Sequence, residues 1–238
     1  MTGVLILTAV EFEARTLARD LELPRLSSLP FPAYGQGRVR LAPVGLRAGL
    51  LGARWRPLLD GASQPLIVSA GVCGALDPRL ACGDLVIPES VLDPWGRRWN
   101  VTPSSHRQVA ALAGAAAHTG SVVTAHEVAE SASAKAALRH QSGAVAVDME
   151  SSVIVSAAAA AGCASLVIRG VSDDATQSLP RELTGLLTPE GRLLGARALL
   201  AAVRRPGVLA MALDLRRGTR RALRAVARLL AQVTATER

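Results

Sequence analysis

Four carboxylates, Asp148, Glu150, Asp173 and Asp174, fall in one stretch, AVAVDMESSVIVSAAAAAGCASLVIRGVSDD, which spans 144–174. A short apolar run ends at Asp148 and Glu150, and a second, Ser165–Val171, delivers Ser172, Asp173 and Asp174. The Ala-rich segment between them has Ser151 and Ser152 near its start and Gly162 at its end, the punctuation of a helix. Strand, helix and strand in one sheet predict a parallel pair joined by a right-handed crossover. Acids at the carboxyl ends of both strands would then meet at the edge where α/β proteins bind ligands. As helix-end charges or loop caps, each would contribute only about 0.3–1 kcal/mol. Four of them at two strand ends of one unit point instead to a ligand site.

Several elements must position that unit. Val4–Val10 is a continuous apolar run fit for a central strand, followed by a helix over Glu11–Leu21 with Glu11 and Glu13 at the junction. Leu23–Gly37 reads as irregular, Val39–Val44 as a strand, and the stretch after Gly49 as helical to about Leu59. Leu66–Ala70 predicts a strand and Gly71–Leu76 (GVCGAL) a turn that brings backbone N–H groups close to a ligand. Gly83–Pro88 reads as a short strand, followed by a loop holding Trp95, Arg97, Arg98 and Trp99 and a helix from about His106 to His118. Strands at Ser121–Ala125 and Ala144–Val147 flank a helix at Ser133–His140. Leu179–Arg192 reads as loop, and two helices separated by Pro206-Gly207 finish the chain. With no repeats and no long linkers, the expectation is a single α/β domain over residues 1–205 with a mostly parallel, mixed sheet.

Composition narrows the class. Half the residues are apolar, yet there are only three Trp, two Phe and one Tyr, so aliphatic side chains must fill the core. That suits parallel strands buried on both faces. No apolar run reaches the ~20 residues that span a bilayer. The start, MTGVLILTAVEFEA, has no basic region and meets Glu11 and Glu13 early, which argues against a signal peptide. Cys73, Cys82 and Cys163 are too scattered for a disulfide framework or a zinc site, and His106, His118 and His140 offer no ligand spacing. The expectation is therefore a cytoplasmic protein without metal or cofactor. The net charge of +8 belongs to the tail, where Arg192–Arg238 holds eleven Arg against Asp214 and Glu237.

These motifs together resemble the purine nucleoside phosphorylase/nucleosidase superfamily. LILTAVEFEA resembles the opening strand and acidic turn of its adenine nucleosidases, and SAGVCGALDPRLACGDLVIP its glycine turn and the strand after it. VDMESS with VIRGVSDDA resembles its most specific pair, an acid-Met-Glu at one strand end and Arg-x-x-Ser-Asp at another. The resemblance implies a three-layer α/β/α fold that cleaves the N-glycosidic bond to a purine. It makes Asp173 the acid that protonates the leaving base at N7, a task worth roughly 10²–10⁴-fold. Asp174 and partial burial are expected to favour the protonated form of Asp173. Glu150 is implied to bind the ribose hydroxyls, Met149 to lie beneath the sugar, and Glu13 to orient a nucleophilic water. Asp148, Ser172 and the turn residues Gly71, Val72 and Cys73 complete the expected substrate contacts. His126 and Glu127 lie where the family lines its base pocket, and Trp95 with Trp99 could stack on a base or cover the core.

Phosphorolytic members hold phosphate with an Arg before the glycine turn and a Ser or Thr within it, where this chain has Ser69 and Val72. An isopropyl group cannot donate to phosphate and Ser69 carries no charge. Arg47 is the alternative phosphate ligand, but Glu13 nearby would repel a dianion. Hydrolysis is the expectation. Within the superfamily, the chain end resembles the hopanoid-associated phosphorylases through Pro189-Glu190-Gly191-Arg192, the RRPG break and the Arg-rich last helix. That implies adenosylhopane as substrate, with methylthioadenosine, S-adenosylhomocysteine or futalosine as alternatives, and a homo-oligomer by analogy with relatives. Residues 206–238 form a basic amphipathic helix, part of the same domain or a membrane-surface element. Arg217, Arg221, Arg224 and Arg228 make one stripe and Leu223, Val226, Ala227, Leu230 and Val233 the opposite side. Such a stripe suits an anionic membrane surface better than nucleic acid, since no aromatic residues are interleaved for base stacking. A purely binding role needs none of Glu13, Glu150 and Asp173.

Overall fold

Alternate residues of the first strand face opposite ways, and each face finds its own helices. The computed structural model describes residues 3–59, 64–178 and 206–235. Strand β1 (Val4–Thr8) leads into helix α1 (Glu11–Asp20), and β2 (Tyr34–Gln36) and β3 (Val39–Pro43) follow. A 3-10 turn at Leu46–Ala48 precedes α2 (Leu51–Leu59) and the long β4 (Leu66–Ala75). Next come β5 (Leu85–Val86), β6 (Ser90–Leu92), β7 (Arg98–Asn100), α3 (Pro103–Ala113), β8 (Ala117–His118) and β9 (Ser121–Thr124). The described chain ends with α4 (Ala132–Ser142), β10 (Ala146–Asp148), α5 (Ser151–Ala160), β11 (Ser165–Asp173) and α6 (Pro206–Val233). Val4 and Ile6 pack with Leu17 of α1, Val109 of α3 and Leu223, Val226 and Leu230 of α6. Leu5 and Leu7 pack with Leu51 and Leu58 of α2 and Ile154 of α5. The two-residue period of the strand therefore feeds two helical layers, giving a single three-layer α/β domain around one sheet.

The sheet is mixed and mostly parallel, ordered β2-β3-β1-β4-β10-β9-β6-β7, with β11, β5 and β8 branching from β4. Near its start β4 runs parallel to β1, and at Gly74-Ala75 it pairs antiparallel with β10. Its other edge is parallel to β11. Hence β10 and β11 are not the parallel pair that strand-helix-strand order predicts, because β4 runs between them and pairs with the two in opposite senses. Their carboxyl-terminal acids still meet across β4.

The expected turn at Gly71–Leu76 is the second half of β4. Its glycines serve close approach, not reversal. A Cβ on Gly71 would stand 2.7 Å from both Arg169 Nη1 and Glu13 Oε1. Strands β2, β6 and β7 lie in stretches that read as loops, and α3 ends at Ala113 where a helix to His118 was expected. Leu179–Arg192 and the first of the two final helices lie outside the described residues.

Helix α6 packs its apolar side into the core, with Leu223, Val226 and Leu230 fully buried, and leaves Arg217, Arg221, Arg224 and Arg228 exposed. Gly218, the one weak position in its helical pattern, is where the helix crosses β11. A Cβ there would lie 2.3 Å from the carbonyl oxygen of Ser172, next to Asp173. No helix among the described residues is long and apolar enough to cross a membrane.

Candidate active site

The ends of β1, β4, β10 and β11 surround a cavity of about 230 Å³. Its walls include Glu13, Met149, Glu150, Ser172 and Asp173, together with Val72, Cys73 and Asp148. Eight residues expected from the sequence are thus brought to one place. Gly71 stands behind the wall, where its missing side chain makes room for Arg169 and Glu13.

Arg169, on β11 and 1% exposed, organises the charge. Its Nε donates to Asp148 Oδ2 at 2.8 Å, and its Nη2 donates to the hydroxyls of Ser69 and Ser151 at 2.8 and 2.9 Å. Asp148 also accepts from Thr124 Oγ1 and from the Ser151 N–H at the start of α5. Asp148 is therefore held by the scaffold on several sides, and Ser69 faces a guanidinium inside the sheet.

Glu13 is held by backbone alone. Its Oε2 accepts from the N–H groups of Ala9 and Val10, and its Oε1 accepts from Val72 N–H at 3.0 Å. Burial pushes its pKa up against the opposing pull of Arg169 and those N–H bonds. The glycine-flanked N–H that an anion would use is occupied by a carboxylate.

Glu150 accepts from Arg47 N–H at 2.9 Å, and burial, with repulsion from Asp148, pushes its pKa up to about 8. The sign for stability follows. Between the ordinary carboxylate value of 4.5 and about 8, the folded state keeps a proton that the unfolded chain has released. This group alone therefore makes stability fall by about 1.4 kcal/mol per pH unit in that window. Glu150→Gln removes the penalty and retains an acceptor for Arg47. Urea unfolding should show the variant gaining on the wild type by roughly 2–4 kcal/mol between pH 5 and pH 8. A gap that does not widen with pH would refute the raised pKa.

Asp173 sits at a register shift in β11 that falls at Ser172, an irregularity of the kind that re-aims side chains beside sites. Ser172 Oγ lies 2.6 Å from Asp173 Oδ1 and 3.1 Å from the Cys73 carbonyl oxygen, and its single proton can serve one of them. Asp174 turns into its own loop, accepting from Thr176 and from the Gln177 N–H, and these bonds hold its pKa down. What faces Asp173 is a cation: Lys135 Nζ donates to its Oδ2 at 2.5 Å.

Three more expected contacts stand outside the cavity wall. Trp95 is 81% exposed in the β6–β7 hairpin and touches the exposed His126 edge-on, with ring centroids 5.2 Å apart. Of the pair expected there, Glu127 does line the cavity, together with Val128 and Ala129, and His126 does not. Arg47 acts through its backbone on Glu150, while its Nε donates to the carbonyl oxygen of His126. Its positive φ of 55° aims that N–H inward and the guanidinium away. Burial pushes the Cys73 thiol up, which favours its protonated form. Sequence reasoning missed Lys135, and it quoted Arg169 only as part of a motif.

Comparison with known proteins gives the family and the fold. Residues 58–204 match the family model described as the phosphorylase superfamily. No curated protein matches the chain in sequence. Among solved structures, a mutant of Helicobacter pylori MTAN with 5′-methylthioadenosine in its active site is similar at TM-score 0.74 and 15% identity, over 99% of both chains. The Neisseria meningitidis 5′-methylthioadenosine/S-adenosylhomocysteine nucleosidase, in complex with methylthio-immucillin-A, is similar at TM-score 0.72 and 20% identity. That match covers 99% of this chain and 100% of the other. At these identities the likeness is one of fold.

Proposed function

The chain belongs to the phosphorylase superfamily, and from that premise we propose that it hydrolyses the N-glycosidic bond of an adenine nucleoside. The observation that carries the proposal is the convergence of Glu13, Glu150 and Asp173, all buried, on one cavity. Bond cleavage builds positive charge on the ribosyl ring and negative charge on the leaving base. Glu150, protonated below about pH 8, is suited to hydrogen bonds with the ribose hydroxyls, and Asp173 to proton delivery at N7. Glu13 is suited to a nucleophilic water.

Water is favoured over phosphate because the Val72 N–H already serves Glu13, Ser69 serves Arg169, and the Arg47 guanidinium turns elsewhere. At about 230 Å³ the cavity is smaller than the ~300–1,000 Å³ of typical ligand pockets, so a large 5′ substituent must extend past its mouth. Adenosylhopane is the substrate that the chain-end resemblance supports. The solved nucleosidases of this fold support methylthioadenosine or S-adenosylhomocysteine as the second reading. The test is adenine release from adenosylhopane and from methylthioadenosine, with and without phosphate. The expected result is one rate in both buffers and a free ribosyl product. Strict phosphate dependence with a 1-phosphorylated product would refute hydrolysis.

A lipid nucleoside would be met at a bilayer, and the exposed stripe of α6 offers a means. Its apolar side is spent on the core, so contact would be electrostatic and not insertion. Each Arg near an anionic surface contributes about 1 kcal/mol. Salt-sensitive binding to phosphatidylserine liposomes is expected, weakened when Arg217, Arg221, Arg224 and Arg228 become Gln. Wild-type protein that ignores such liposomes at low salt would leave the helix a packing element.

A further inference from the structure

Lys135 is the single lysine of a chain whose other 26 basic residues, of 27, are arginine. It is also the one buried side chain of α4, 1% exposed, and it lines the cavity. Its ammonium donates to Asp173 Oδ2 at 2.5 Å and to the carbonyl oxygens of Asp174 and Gln177 at 2.6 and 3.1 Å. The site therefore contains two buried ion pairs of different character. Arg169 on Asp148 is a fixed charge, because a guanidinium does not release its proton in a protein. Lys135 on Asp173 is a pair across which a proton can move.

We propose that Lys135 is the proton store for Asp173, a positioning residue that supplies the proton delivered to the leaving base. This rests on the function proposed above. As the C1′–N9 bond breaks, its electron pair moves onto the base. Asp173 gives N7 a proton and takes one from Lys135 Nζ. The pair is left as carboxylate and neutral amine, and the amine regains its proton from solvent after release. The nucleophilic water's proton goes separately to Glu13. The other titratable groups facing Lys135 do not compete. Asp174 is engaged by Thr176 and Gln177, the Cys73 thiol stays protonated through burial, and Glu127, on the loop before α4, makes no hydrogen bond or ion pair to Lys135 among those the structure shows.

Lys135→Arg keeps the charge but holds no transferable proton. It should lower kcat for adenine release by ~10²-fold with KM changed less than about threefold, and with no recovery between about pH 6 and 9. Lys135→Met covers the case in which Arg does not fit. There Asp173 must draw its proton from solvent, so residual activity should move to the acid side. Wild-type kcat and pH profile in either variant would overturn the proposal. Labelling with 15N-lysine gives one side-chain resonance to follow without assignment. Asp173→Asn should shift it, and an unchanged resonance would overturn the pairing itself. Wild-type protein that cleaves no adenine nucleoside would overturn the function and the relay together, and the resonance would then show whether the pair alone stands.

Discussion

Asp173→Asn should lower kcat for adenine release at least ~10²-fold while KM changes little, because the proton matters mainly in the transition state. The amide keeps the shape of the carboxylate and can still meet Ser172 Oγ, which lies 2.6 Å from Oδ1 in the wild type. It cannot pass on a proton from Lys135. The substitution also strips a buried ammonium of its counter-charge, a loss of about 3–5 kcal/mol where nothing else compensates. Two carbonyl oxygens, of Asp174 and Gln177, remain on Lys135, so the variant should melt earlier but fold. Adding Lys135→Met should restore stability and not activity. That pattern separates chemistry from packing. Near wild-type kcat in folded Asp173→Asn would remove Asp173 as the acid.

The acids of this site were legible because they sit at strand ends, where an apolar run stops and charge begins. Glu13 after β1, Asp148 and Glu150 at β10, and Asp173 at the end of β11 all carry that local signature. What was not legible depends on partners distant in sequence. Gly71 reads as a turn residue until Arg169, nearly a hundred positions later, is seen to need its empty side-chain space. Gly218 reads as a flaw in a helix until β11 is placed beneath it. The strand-helix-strand rule assumes neighbouring strands, and β4 is long enough to pair with β1 at one end and β10 at the other. Trp95 has the chemistry to stack on a base, but the β6–β7 hairpin carries it into solvent. Lys135 lies in an Ala-rich helix where a lysine reads as a solvated surface residue. Its only mark in the sequence is that an arginine-dependent chain keeps one lysine, and that signal is compositional, with no motif to find it by.

Glu13→Gln should be the second large loss, with kcat down by ~10²-fold or more and KM nearly unchanged. The reason is partly chemical: an amide cannot accept the proton of an attacking water. It is also architectural. In the wild type both carboxylate oxygens accept from N–H groups, Oε2 from Ala9 and Val10 and Oε1 from Val72. The Gln oxygen can serve Ala9 and Val10, but its NH2 group then faces the Val72 N–H, donor against donor. A mismatch of that kind costs about 1–3 kcal/mol and should appear as a lower melting temperature. The pH profile divides the two effects. Burial raises the Glu13 pKa above the ordinary carboxylate range, and a base must be ionised, so wild-type kcat should rise with pH across an acid limb. In the variant that limb should vanish, leaving only the dependence set by Glu150 near pH 8. A limb that survives unchanged would assign it to Glu150 and take Glu13 out of the chemistry.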